Sequence, residues 1–314
     1  MGMALRQEKL TSAVVGHDID RAVSGKAKKS GAVDRTDWNL LSACDDSDLV
    51  ILATPVDAIK PTLEAIGPEL RPGCVVIDTA TIKEPVLAWA ASTLPEGVHF
   101  VGGDPLPGPA AAGLSGVDAA RADLFENGLF CVVPSPSANE EAVKLAIDLV
   151  QILGAKPLFL DSVEHDGLVA AVGHLPSILA LALMETLVHQ PTWRELRKVA
   201  GSSLEAGTKL VAIDPIGQGE VSIANRDNLI RWIDTYVDSL SSIRAVLEKG
   251  EPEEMIERYQ TAFKERAKWL HDWTGGGWYE GPRTEMPARS SMLDSFVGTF
   301  WRRKPPKKED TSGE

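Results

Sequence analysis

A few side chains in this 314-residue sequence carry groups that could do chemistry. Asp104 stands between Gly103 and Pro105, one residue past the apolar run at residues 99–102. That spacing puts a carboxylate at a strand end, where open α/β sheets gather their sites, although Asp-Pro is also an ordinary turn element. His174 lies in Gly173-His174-Leu175-Pro176, either as a site imidazole or as a buried structural one. His165-Asp166 reads better as the first turn of a helix. Lys209 is either a binding cation or a surface lysine. Asp18 closes the short run at residues 13–18. In a doubly wound nucleotide-binding domain an acid there accepts hydrogen bonds from the ribose hydroxyls of NAD and repels the extra phosphate of NADP; it could equally begin a turn. Cys44, Cys74 and Cys131 form no CxxC or Cys/His spacing, so they read as packing residues in a reducing cytoplasm, with no metal.

The elements that must position these groups follow from hydrophobic pattern. Residues 48–54, 74–78, 99–102 and 129–133 are nearly continuous apolar runs, as expected of strands buried on both faces. Helical patterns at 58–66, 85–92 and 140–153 lie between or after them. Strands alternating with helices of this length imply right-handed βαβ units and a doubly wound sheet. From 163 to 273 no strand pattern is evident, and helices are predicted at 165–189, 192–206, 222–249 and 252–269. The expected organisation is an α/β doubly wound, Rossmann-like domain at 1–160 and an all-α domain at 161–274. A partly disordered tail is expected at 275–314, where Phe296, Phe300 and Trp301 could dock.

Composition narrows the function classes. Charged residues make up 25% and hydrophobic residues 44%, which excludes a disordered chain. The net charge of −13 argues against a duplex-binding surface, because phosphate neutralisation needs clustered cation; the one basic cluster, around Arg302, Arg303 and Lys304, sits in the tail. The most apolar stretch, residues 168–188, is interrupted by His174, Pro176 and Glu185 and is read as short of a membrane-spanning helix. No signal-peptide pattern opens the chain. The first residues read as a helix already under way, and no G-x-G-x-x-G precedes it. Helix, strand and acid is the order that follows a phosphate-binding loop, so that loop and its strand are expected upstream of Met1.

The ordered runs DLVILATPV (48–56), DTATIKE (78–84), GGDPLPG (102–108), LFEN (124–127), His165-Asp166, VGHLP (172–176) and GTKLVA (207–212) together resemble the prephenate/arogenate dehydrogenase family over about residues 1–270. The resemblance implies a nucleotide-binding domain, a helical domain through which two copies dimerise, and NAD or NADP as cofactor. It implies an oxidation of prephenate or arogenate in which hydride leaves the ring carbon bearing the hydroxyl while the ring carboxylate departs as carbon dioxide. A cytoplasmic enzyme of tyrosine biosynthesis is expected, with neither nucleic acid nor membrane as partner.

Carried over residue by residue, the resemblance implies catalytic roles for Asp104, His174 and Thr81, substrate binding by Lys209 and Ser177, and cofactor binding by Asp18, Thr54, Pro55, Val56, Thr79 and Lys83. Five positions depart from the family pattern: Thr81 and Gly173 stand where members carry serine, Thr81 keeping the hydroxyl, and three further exchanges bear on the substrate. Asp104 stands where members carry histidine, Ser177 where they carry a second histidine, and Lys209 where they carry arginine, keeping the charge without the bidentate fork. Two alternatives therefore stay open: a related dehydrogenase acting on another hydroxy acid, and a dimeric binding or regulatory homologue without catalysis.

Overall fold

Apolar runs bounded by turn residues become the strands of the first half of the chain, and amphipathic segments become the helices that cover them. The computed structural model describes residues 1–8, 13–111, 116 and 120–275. The predicted tail, except Gly275, lies outside the described residues together with Phe296, Phe300, Trp301 and the basic cluster.

The helix α1 (Gly2–Glu8) leads to β1 (Val15–Gly16), α2 (Arg21–Lys29), β2 (Arg35–Thr36), α3 (Leu40–Cys44), β3 (Leu49–Leu52), α4 (Val56–Ile66), β4 (Val75–Asp78), α5 (Glu84–Thr93), β5 (His99–Leu106), β6 (Leu129–Pro134), α6 (Glu140–Ile152) and β7 (Lys156–Phe159). The strands form two sheets, a parallel pair β1-β2 and a five-stranded sheet ordered β3-β4-β5-β6-β7. Among the described residues the two sheets share no hydrogen-bonded strand pair.

Helices cover both faces of the larger sheet. Ile59, Leu63 and Ile66 of α4 with Val86 and Ala90 of α5 fill one core. Ala4 and Leu5 of α1 with Leu145, Leu149 and Val150 of α6 fill the other. Asn139 starts α6 by accepting the Ala142 N–H with its side chain at 2.8 Å, the usual N-cap bond.

Two sequence expectations are corrected here. β6 runs antiparallel to β5, not parallel, with Asp104 opposite Cys131. A run that is apolar on both faces does not encode its direction. Asp104 also lies inside β5, which continues to Leu106, and not at its end. It does lie beyond the last β4–β5 pair, Ile77 with Val101, and so beyond the carboxyl end of β4.

The second half is helical throughout its described residues. α7 (Ser162–Val169) runs through a π-helical turn (Ala170–His174) into α8 (Leu175–Val188). Then come α9 (Trp193–Val199), α10 (Ser202–Thr208), a 3-10 turn at Lys209–Ala212, α11 (Pro215–Ala224), α12 (Arg226–Lys249) and α13 (Pro252–Gly275). The reading of 168–188 as too interrupted is corrected: Ser162–Val188 is a continuous 27-residue helix, long and apolar enough to cross a membrane by length and composition. Pro176 sits in the first turn of α8, where the missing N–H costs little, and the preceding π turn absorbs the change of register. One face of this helix buries His165, Asp166 and His174 against the rest of the protein.

Candidate active site

The site is built from the carboxyl end of β4 outward. Asp78 ends β4 with no exposed surface, and its carboxylate takes the Lys83 ammonium, the Ala80 N–H at 2.9 Å and the Gly103 N–H at 3.1 Å. Burial pushes the Asp78 carboxyl up, opposed by the Lys83 charge and by these hydrogen bonds. Gly103 is required by this approach. A Cβ there would lie 2.6 Å from the Asp78 carbonyl oxygen and 2.8 Å from the Phe130 ring.

Asp104 follows directly and is buried, with its Oδ2 3.3 Å from His165 Nε2. The other ring nitrogen of His165, Nδ1, is 2.8 Å from Asp166 Oδ1. Asp166 also accepts the backbone N–H groups of Lys83 at 2.6 Å and Glu84 at 2.9 Å, capping the open N-terminus of α5 from the other domain. Desolvation would lower the His165 pKa, but hydrogen bonds to Asp104, Asp166 and Cys131 outweigh it and raise it to about 10. His165 is therefore a cation held between two carboxylates. Asp104, Cys131 and His165 bring possible metal-ligand atoms within 4.8 Å of one another. Both His165 nitrogens already meet carboxylates, so hydrogen bonds account for the arrangement.

His174 lies in the π turn, also buried. Its Nδ1 is 3.3 Å from Nδ2 of Asn225, the residue before α12, while its Nε2 is buried without a hydrogen-bond partner. Desolvation lowers its pKa, against the pull of Asp166 and Asp104 and with the repulsion of the His165 cation. Two imidazoles with opposite shifts thus share one cluster, His165 charged and His174 neutral.

The other predicted site residues divide by element. Asp18 follows β1, half-buried, and its Oδ1 accepts the Asp20 N–H at 2.8 Å. Thr54 and Pro55 are exposed between β3 and α4, and Val56 is buried in the first turn of α4. Thr79 follows β4, its hydroxyl donating to the Leu52 carbonyl at 3.3 Å. Thr54, Pro55 and Thr79 follow the carboxyl ends of the neighbouring strands β3 and β4, and Asp18 follows that of β1 in the separate pair. Lys83 does not join them at the surface; it is fully buried on Asp78. Thr81 is exposed after β4, and Ser177 is half-buried one turn beyond His174. Lys209 is exposed on the 3-10 turn that packs against α8. Sequence reasoning passed over His165, Asp166 and Asn225 as site residues. The adjacent His165-Asp166 pair was the available signal, but its partners lie 61 and 83 residues away.

A doubly wound domain whose strand ends meet a helical domain across a buried cluster of acids and imidazoles defines a two-domain, nucleotide-binding class of protein. The prephenate dehydrogenase nucleotide-binding domain matches residues 1–158, and the prephenate dehydrogenase dimerization domain matches residues 161–261. This chain belongs to the prephenate dehydrogenase family. Its relatives include the prephenate dehydrogenase of Bacillus subtilis, 25% identical over 264 residues that cover 83% of this chain and 70% of the relative. The cyclohexadienyl dehydrogenase of Zymomonas mobilis is 22% identical, with 80% of this chain and 85% of the relative covered. The crystal structure of prephenate dehydrogenase from A. aeolicus in complex with hydroxyphenyl propionate and NAD+ shares the fold, with a TM-score of 0.77 at 24% identity over 85% of this chain and 92% of that one.

Proposed function

We propose that this chain is an NAD-dependent dehydrogenase of tyrosine biosynthesis that oxidises and decarboxylates prephenate or arogenate, working in the cytoplasm as a homodimer. The observation that carries the reading is the match of both family domains, in order, across residues 1–261. The three free, buried cysteines suit a reducing compartment.

The residues present fit the cofactor. Asp18 spends one carboxylate oxygen on its own turn and keeps the other for a ribose hydroxyl. Thr54, Pro55 and Thr79 lie at the ends of β3 and β4. Pro55 caps α4 without a side-chain bond, and the Ala58 N–H donates to the Pro55 carbonyl, so the Val56 and Asp57 N–H groups at the start of that helix stay available. When bound, the nicotinamide would accept the hydride lost from the substrate ring.

On the substrate side, Thr81 and Ser177 offer hydroxyls and Lys209 a charge for a carboxylate. In the reaction the C–H bond at the hydroxyl-bearing carbon and the bond to the ring carboxylate both break, carbon dioxide leaves, and the hydroxyl gives up its proton. That proton would pass to the Asp104 carboxylate, whose Oδ2 faces His165 and whose Oδ1 is not engaged by it.

A second reading keeps the fold and changes the substrate. Asp104, Ser177 and Lys209 all differ from the family pattern, which favours a dehydrogenase for a related hydroxy acid. Absorbance of reduced nicotinamide, followed with prephenate and then arogenate, decides between them. Turnover of either at an ordinary enzymatic rate, on the order of 1 s⁻¹ or more, is expected. No turnover of either, with NAD still bound by calorimetry, would move the assignment to another substrate. No NAD binding at all would favour the non-catalytic homologue.

A further inference from the structure

The hydrogen-bond chain behind His174 has a direction that can be read from its ends. Arg231 has only donors, and its Nη2 lies 3.2 Å from Asn228 Oδ1. Asn228 must therefore use its Nδ2 toward Asn225, whose Oδ1 is 2.9 Å away. At the inner end, Asn225 Nδ2 lies 2.8 Å from the backbone oxygen of Asp166, which can only accept. Both ends thus fix the Asn225 amide the same way, with its nitrogen toward His174 Nδ1 at 3.3 Å. A nitrogen that faces an amide N–H must present its lone pair. The proton of a neutral imidazole is then on Nε2, the buried atom with no partner.

We infer that Asn225 is a positioning residue that locks His174 in the Nε2–H tautomer, so that His174 donates a hydrogen bond to a carboxylate or carbonyl oxygen of the bound substrate and does not act as its base. The same atoms explain why His174 stays neutral. A second proton would have to sit on Nδ1, against the Asn225 amide and close to the His165 cation. An unsatisfied buried N–H costs about 1–3 kcal/mol, so an incoming acceptor is favoured at this point. This assigns the two imidazoles different tasks: His165 holds charge, and His174 offers a neutral donor. The tautomer follows from the geometry alone, whereas its partner rests on the substrate reading above.

Long-range proton–nitrogen correlation spectra of the full-length protein, labelled at histidine, test the tautomer without any substrate. His174 is assigned by the signal lost in His174→Gln. A protonated Nε2 and an unprotonated Nδ1 are expected near neutral pH; the reverse pattern, or an imidazolium, overturns the inference. In Asn225→Asp the new carboxylate should draw the proton to Nδ1, inverting the pattern. If that variant does not fold, the wild-type spectrum still decides. Kinetics test the role. His174→Gln keeps an N–H donor but cannot act as a base, so its kcat/KM should fall by less than about a hundredfold, mostly in KM. A loss confined to kcat and beyond about a thousandfold would make His174 the base and overturn the inference. If the wild-type protein turns over neither prephenate nor arogenate, the substrate reading fails, while the spectrum still reports the tautomer.

Discussion

His165 and His174 lie in one buried cluster yet are shifted in opposite directions, and the difference comes from what each ring meets. His165 has a carboxylate on both nitrogens, whereas His174 has an amide on one and nothing on the other. This gives a pH dependence of stability with two limbs. The folded pKa of His165, about 10, lies above its ordinary value of 6.5. Its stabilising contribution is therefore complete below about 6.5 and is lost as pH rises toward 10. His174 is depressed, so the unfolded chain takes its proton more readily; that contribution is present above about 6.5 and is lost as pH falls below it. Urea unfolding measured across this range should show a maximum near neutrality. His165→Gln should flatten the alkaline limb and His174→Gln the acid limb. An unchanged alkaline limb in His165→Gln would show that His165 does not hold the proton.

At the scale of elements, the site depends on how closely β4, β5 and β6 approach one another. Gly103 permits that approach, because an added Cβ would strike the Asp78 carbonyl and the Phe130 ring. Backbone and an aromatic ring in a packed core yield little, so Gly103→Ala should destabilise the protein by about 1–3 kcal/mol. It should also shift Asp104 and with it the His165 pair. Equilibrium unfolding measures the first effect and the pH profile above the second; a neutral substitution would show that the sheet can open here. The main strands and helices were legible because their apolar runs are long and clearly bounded. β2 and β7 were not, since Arg35-Thr36 is two largely polar residues and Lys156–Phe159 is half exposed with a proline inside. The reach from Asp166 to α5 was illegible for a different reason. Local sequence shows that the N–H groups of Lys83 and Glu84 need an acceptor, but not which distant residue supplies it. Asp104 and His174 could be picked out by family pattern, while their partners His165 and Asn225 required the fold.

The helical half of the molecule raises a question of scale, because it buries little of its own apolar surface. Ala180 is the one buried residue in the 14 of α8, and the described side chains of α9, α10 and α13 include none. On α12, Ile230, Val237, Leu240 and Leu247 are all exposed at spacings of seven, three and seven. On α13, Ile256, Tyr259 and Phe263 repeat the pattern at three and four. Such spacings place each set on one helix face, the arrangement that packs against another helix. A single chain leaves these stripes in water, and a partner copy would remove them. The matched dimerization domain, residues 161–261, contains the α12 stripe and most of α13's. Sedimentation at micromolar concentration should therefore give the mass of two chains. Each buried side chain of this size contributes about 1.5–3 kcal/mol. Val237→Glu with Leu240→Glu removes such burial on both copies and adds four carboxylates to an interface between chains of net charge −13. The dissociation constant should rise by at least about a hundredfold, and the circular dichroism of the separated chains should report whether the helices persist. A double variant that still sediments as a dimer, with unchanged affinity, would move the interface off α12.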